Sequence, residues 1–144
     1  MKVFLDTNVL IAASVEDHEY HSRALPLMQS VHDGRNQGFV SAHSLLEMYA
    51  ILTRLPRSPR ILPIQAEALV RENVASRFTV VALTAKEYAT LVKRFGGEEV
   101  VGGQAYDALH LECANKSGAD RIYTFNVRHF AMLASHLASK ITAP

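Results

Sequence analysis

The chain has 144 residues, and its 15 Lys and Arg against 14 Asp and Glu leave a net charge of +1. That length suits a single domain over 1–144 that buries roughly 70% of its unfolded surface, and the near-neutral balance excludes a protein that is basic in bulk. The lone cysteine, Cys113, excludes an internal disulfide. With charges as early as Lys2 and Asp6 and no apolar run near ~18 residues, neither a signal peptide nor a membrane span is expected, and a cytoplasmic protein is.

Residues 2–5 read as a short buried strand, after which Asp6-Thr7-Asn8 turns the chain into a helical start over 9–13. A second helix is expected over about 19–33, ended by Gly34. Asn36-Gln37-Gly38 reads as a turn and 38–41 as the second strand. Ser44 is expected to open a helix that runs to about Arg54 and stops before Pro56. A helix over about 63–76 follows, then Phe78 to Leu83, short, β-branched and apolar, the clearest strand. Thr84 is suited to cap a helix over 85–95. Residues 96–103 read as a glycine-flanked loop, 104–117 as a helix closed by Gly118, and 121–124 as a fourth strand. Another helix begins at Asn126, and 140–142 has the character of a last short strand.

Short apolar strands alternating with helices imply an α/β fold. It is expected to be a three-layer α/β/α sandwich on a mostly parallel sheet of four to five strands. In such sheets ligands bind beyond the carboxyl ends of the strands, and Asp6 and Asn126 both fall just past an expected strand end.

Three acids lie among apolar neighbours. Asp6 follows Val3-Phe4-Leu5, Glu47 sits within Ser44 to Leu52, and Asp107 opens Tyr106 to Leu111. Charges in such stretches call for partners or a metal. Each acid also has a plain structural role open to it. Asp6 can cap the helix after strand one. Ser44-Leu45-Leu46-Glu47 matches a capping box, and Asp107 suits the first turn of its helix. All three meeting at one sheet edge would make a hard-oxygen site for Mg²⁺ or Mn²⁺, suited to phosphodiester hydrolysis.

Phe4-Leu5-Asp6-Thr7-Asn8-Val9-Leu10, Ser44-Leu45-Leu46-Glu47 with Tyr49 to Leu52, Tyr106-Asp107-Ala108-Leu109-His110, and the closing stretch Gly118 to Phe130 together resemble the PIN-domain ribonucleases, specifically the VapC-type toxins. The resemblance implies a metal-dependent endoribonuclease with an RNA substrate, a cognate antitoxin and a homodimeric state. It departs at Asn126, where many members carry Asp; an amide brings no negative charge, so a second metal would bind less readily. On this reading Asp6, Asp107 and Glu47 hold the metal, and Asn126 stands in the fourth acidic position. Asn8 would bond back to Asp6, Thr7 and Thr124 would supply hydroxyls, and Arg128, with Arg57 and Arg60 of the proline-punctuated loop, would meet phosphate. Asp120 precedes the strand leading to Asn126, and a structural role toward the opposite sheet edge is expected.

The other candidate residues are weaker. His18 and His21 have zinc-like spacing without a third ligand. His110 either faces the acidic pocket or belongs to the core, and Cys113 reads as a buried inert thiol. A receiver domain requires an acid pair after strand one and an Asp after the third strand, where this chain has Leu83-Thr84. A dehalogenase-like phosphatase needs Asp where Asn8 stands. A PIN fold that has lost catalysis and serves as a scaffold or RNA-binding protein, and a housekeeping RNA-processing nuclease without an antitoxin, remain as alternatives.

Overall fold

The computed structural model describes all of residues 1–144. Its centre is a five-stranded, all-parallel sheet of order β3-β2-β1-β4-β5, formed by β1 (Lys2–Leu5), β2 (Gln37–Ser41), β3 (Thr79–Val81), β4 (Arg121–Tyr123) and β5 (Ile141–Thr142). β1 is the middle strand, pairing Phe4 with Phe39 of β2 and with Ile122 of β4. Because strand side chains alternate faces, its three buried residues serve two cores. Val3 and Leu5 pack with α1 (Thr7–Ser14), α2 (His21–His32), α3 (Ala42–Arg54) and α4 (Pro63–Leu69), through Val9, Met28, Met48, Leu52 and Ala66. Phe4 packs on the other face, with Leu91 of α5 (Ala85–Glu98), Leu109 and Cys113 of α6 (Gln104–Ser117), and Phe130 of α7 (Val127–Leu133). This is the expected three-layer α/β/α arrangement.

Several element boundaries differ from expectation for local reasons. α3 begins at Ala42, not Ser44, because Ser41 ends β2 and caps the helix, its hydroxyl accepting from the Ser44 amide. The expected third strand, Phe78 to Leu83, shrinks to three residues. It is an edge strand held only by β2, while Phe78 turns into one core and Leu83 into the other. The 96–103 loop is shorter than expected, since α5 runs through Gly96 and Gly97 to Glu98. Its last turn gains an Arg94–Glu98 pair at 3.6 Å, and the helix closes at Glu99 with a left-handed φ of 54°. The second half of the 63–76 helix is a π-helical segment, Val70–Ala75.

Two glycines are required where they stand. Gly118 closes α6 at φ 68°, a region that L side chains disfavour. Gly38 lies so close to Phe78 and Val31 that an added Cβ would sit 2.5–2.6 Å from their side chains. Asp120 behaves as expected: its carboxylate accepts from the Lys2 amide at 2.8 Å and its own amide donates to the Lys2 carbonyl, tying β4 to the start of β1 away from the strand ends that carry Asp6.

Candidate active site

The carboxyl ends of β1, β2 and β4 bring the acids together. Asp6 immediately follows β1, and its amide donates to the Tyr123 carbonyl at 2.9 Å, continuing the pairing of β1 with β4. Its side chain is 4% exposed. Oδ1 accepts from the Thr7 amide at 2.8 Å and Oδ2 from the Thr124 hydroxyl at 2.9 Å. Asp6 is therefore the N-cap of α1, and its second oxygen is held from β4 across the sheet. Burial pushes its pKa up to about 6. The charges of Asp107 and Glu47 push the same way, while His110 and the Thr124 hydrogen bond oppose them. The three acids thus lie within electrostatic reach of one another.

Glu47 is freed from capping by the early start of α3 and reaches His110 of α6 instead, with His110 Nε2 3.2 Å from Glu47 Oε1. Behind His110 runs a buried chain of hydroxyls. Thr7 donates to Ser44 at 2.9 Å, Ser44 and Ser41 are 3.1 Å apart, and Ser41 Oγ is 2.7 Å from His110 Nδ1. His110 is 1% exposed. Burial alone would lower its pKa, but the hydrogen bond to Glu47 and the charges of Asp6, Glu47 and Asp107 raise it above the ordinary histidine value. Burial would likewise raise Glu47, yet the His110 bond, the nearby Thr7 hydroxyl and the charges of His110 and His43 hold it below the usual carboxylate range. His110 is at once a core residue and a site residue. Its position three after Asp107, on the same helical face, is the sequence signal for that.

Asp107, in the first turn of α6, meets a second imidazole: His129 Nε2 of α7 is 3.1 Å from its Oδ2. Burial and the Glu47 charge raise the Asp107 pKa against the opposing charges of His129 and His110. A third imidazole, His43, lies 3.6 Å from Glu47 Oε2 and stacks on Tyr106. Sequence reasoning missed His43, His129, Ser41 and Ser44 as site neighbours. For His43 the available signal was its place one helical turn before Glu47.

Other expected site residues fare differently. Asn8 is exposed and makes no bond to Asp6; the Thr7 amide and Thr124 hydroxyl fix that rotamer instead. Thr7 spends its hydroxyl on Ser44. Asn126 is exposed and its side chain makes no cap for α7; it joins the site through its backbone amide, which donates to Thr124 Oγ1 at 3.0 Å. Arg128 is exposed on α7 beside His129. Arg57 is committed to Asp17 at 3.0 Å and to the Pro59 carbonyl, and Arg60 is exposed in the same loop, so neither contacts the acids. His21 bonds the Ala12 carbonyl and His18 accepts from the Tyr20 amide, which replaces the zinc-like reading of that pair. Cys113 is buried, and burial pushes its thiol up to about 11, as suits an inert side chain.

In donor type and charge the cluster fits a hard divalent cation: three carboxylates, of which Asp6 is lifted chiefly by burial and further by the charges of the other two. As the side chains stand, no three ligating groups surround a common point closely enough to hold an ion. His110 and His129 instead answer Glu47 and Asp107 where a metal's charge would. Binding would require those two carboxylates to turn from their imidazoles toward Asp6.

A family model described as PIN domain matches residues 3–134. The chain is 36% identical over 115 residues to Ribonuclease VapC40 of Mycobacterium tuberculosis, covering 79% of each, and 30% identical over 105 residues to Ribonuclease VapC27 of the same organism, covering 73% of this chain and 71% of the relative. Two solved structures share its fold. VapC20 of M. tuberculosis, described as a sarcin-ricin loop cleaving toxin, aligns at TM-score 0.70 with 20% identity, covering 90% of this chain and 94% of that one. VapBC2 from Rickettsia felis, bound to a DNA fragment from its promoter, aligns at TM-score 0.64 with 18% identity, covering 99% and 98%. With a family match spanning nearly the whole sequence and relatives at 36% and 30% identity, the chain belongs to the PIN-domain family.

Proposed function

We propose that the protein is a metal-dependent endoribonuclease, a single domain over 1–144 that acts in the cytoplasm as the toxin of a toxin–antitoxin pair. The observation that carries this reading is the meeting of Asp6, Glu47 and Asp107, brought from the end of β1, from α3 and from α6, around a buried Asp6 whose pKa is pushed up to about 6 chiefly by burial, with the charges of Asp107 and Glu47 acting the same way. Perturbed carboxylates gathered at a strand-end site are the usual mark of chemistry rather than packing. The names of the relatives, ribonucleases and a toxin of the VapC type, support an RNA substrate, and the VapBC2 neighbour supports an antitoxin partner.

Asp6, Asp107 and Glu47 would hold Mg²⁺ or Mn²⁺, which would supply Lewis-acid charge to the phosphodiester and favour deprotonation of the attacking water. Asp6 is the fixed member, since both its oxygens are anchored. Glu47 and Asp107 are the adjustable ones, held chiefly by imidazoles, with the Thr7 hydroxyl also near Glu47. Thr124 orients Asp6 and is itself positioned by the Asn126 amide. Arg128, exposed beside His129 and the one arginine of α7, would offer phosphate a cation. A homodimer draws support from Tyr88 and Val92, exposed one turn apart on α5.

The test is cleavage of a structured RNA by the purified protein with Mn²⁺ and in EDTA. Cutting that requires metal and is lost in Asp6→Asn and Asp107→Asn supports the assignment. Undiminished cutting by Asp107→Asn sinks it. Co-purification with the product of the adjacent reading frame tests the antitoxin.

A further inference from the structure

An aromatic pair lies at the rim of the acidic cluster. Tyr106 and His43 stack almost perfectly parallel, with ring centroids 5.0 Å apart and 2° between planes. His43 in turn lies 5.6 Å from His110, so three rings lead from the surface to the buried centre. The outermost, Tyr106, is 53% exposed. Its chain neighbour is Asp107, and its stacking partner His43 is 3.6 Å from Glu47. The platform therefore borders two of the three carboxylates.

We propose that the outer face of Tyr106, backed by His43, is a stacking subsite for one unpaired nucleobase of the RNA beside the cleavage position. The proposal rests on the ribonuclease reading and adds to it how the substrate is held. Three observations favour a base as the occupant. The chain carries a net charge of only +1, and the cleavage centre itself is acidic, so bulk charge does not draw an RNA backbone to this rim. Contacts independent of charge must contribute, and base-on-aromatic stacking is the strongest such contact available to single-stranded RNA. The ring is also pre-organised: His43 holds it parallel, so little side-chain freedom is lost when a base adds to the stack. Finally, Tyr106 and Asp107 are adjacent residues of one helix turn, which suits a nucleotide whose phosphate faces the acids while its base lies on the ring. The substrate class implied is RNA with at least one unstacked base at the cut, a loop or single strand rather than a continuous duplex.

The sequence contains no tryptophan, which makes the experiment direct. In an Asp6→Asn background, to allow binding without cleavage, affinity is measured for a short oligo-adenylate and for an abasic oligomer of the same length. Tyr106→Ala is expected to weaken the oligo-adenylate about tenfold and leave the abasic oligomer unchanged, while Tyr106→Phe keeps both affinities. Tyr106→Trp introduces the only indole, whose fluorescence is expected to be quenched by the oligo-adenylate and not by the abasic oligomer. Melting temperatures of the Phe and Trp variants guard against misfolding. Equal loss for both oligomers, affinity within twofold of the parent, or an unquenched indole overturns the subsite. A protein with native Asp6 and Tyr106 that cuts RNA as well as its Tyr106→Ala counterpart overturns the subsite alone; one that neither binds nor cuts RNA overturns the ribonuclease reading and the subsite with it.

Discussion

His110 Nε2 sits 3.2 Å from Glu47 Oε1 in a fully buried ring position, with its other nitrogen 2.7 Å from the Ser41 hydroxyl. An imidazole at that place does two things. It supplies positive charge to a cluster of three acids, and it ends a buried hydroxyl chain that would otherwise lack a partner. Both effects follow from one side chain, so its removal separates the metal's contribution from the protein's own.

Replacing it, His110→Ala, is expected to lower stability in EDTA by about 2–4 kcal/mol. The change leaves the Ser41 chain unsatisfied and the carboxylates without their internal cation. Mn²⁺ should then raise the melting temperature more in the variant than in the parent, because the ion relieves a repulsion that the parent has already partly answered. Thermal unfolding with and without metal checks this; equal metal shifts in the two proteins contradict it.

Asp6→Asn is expected to hold or raise stability in EDTA at pH 7. The native carboxylate is buried with its pKa lifted from 3.8 to about 6, a cost of roughly 1–3 kcal/mol that the neutral amide does not carry. The amide can still accept from the Thr7 amide. The stabilisation by Mn²⁺ should disappear in the same variant. A large loss of stability in EDTA would instead make capping of α1 the dominant role of Asp6.

The pH dependence has a definite sign. Between about pH 4 and 6 the folded chain retains the Asp6 proton that the unfolded chain has released, so stability without metal should fall as pH rises through that window. His110, with a raised pKa, acts in the same direction at higher pH: its contribution is complete below the unfolded value near 6.5 and is lost as pH rises through its folded value. Glu47, held low, acts the other way, and its contribution is lost only as pH falls through its depressed value. Asp107, also raised by burial, acts in the same direction as Asp6; urea midpoints in EDTA across pH 4–8 measure the sum, and the decline between pH 4 and 6 should be smaller in Asp6→Asn than in the parent. Metal affinity should increase across the same window as the Asp6 proton leaves.

Asn126→Asp is expected to change stability in EDTA by no more than ~0.5 kcal/mol, because the side chain is exposed and caps nothing. A new carboxylate at the rim should still strengthen Mn²⁺ binding by a few-fold through its charge. Calorimetric titration gives the answer. A marked fall in stability would mean that residue 126 turns into the cluster, and unchanged affinity would place it outside the site's field.

Much of this molecule was legible in its residues. Val3-Phe4-Leu5, apolar at successive positions, reads as a short buried strand, and the acid after it as lying at the strand's carboxyl end. Asp120 was legible for the same reason, since it precedes its strand and so falls at the other edge. The motifs around Asp6, Glu47 and Asp107 are local patterns of charge among apolar neighbours, and such patterns survive reading one residue at a time.

The partners of those acids did not survive it. Ser41 rather than Ser44 caps α3 because the strand feeds directly into the helix, a matter of where β2 ends. Asn8, adjacent to the site in sequence, faces solvent, while Thr124, far along the chain, takes the hydrogen bond to Asp6 because β4 lies beside β1. The arginines of the 54–60 loop looked suited to phosphate, yet Arg57 turns to Asp17, a neighbour that only packing supplies. Spacing along the chain determined the strands, the helices and the acids at the sheet's edge. Which imidazoles and hydroxyls answer those acids was decided by the tertiary structure, because short-range hydrogen bonds and charge pairs depend on distances between elements that no periodicity encodes.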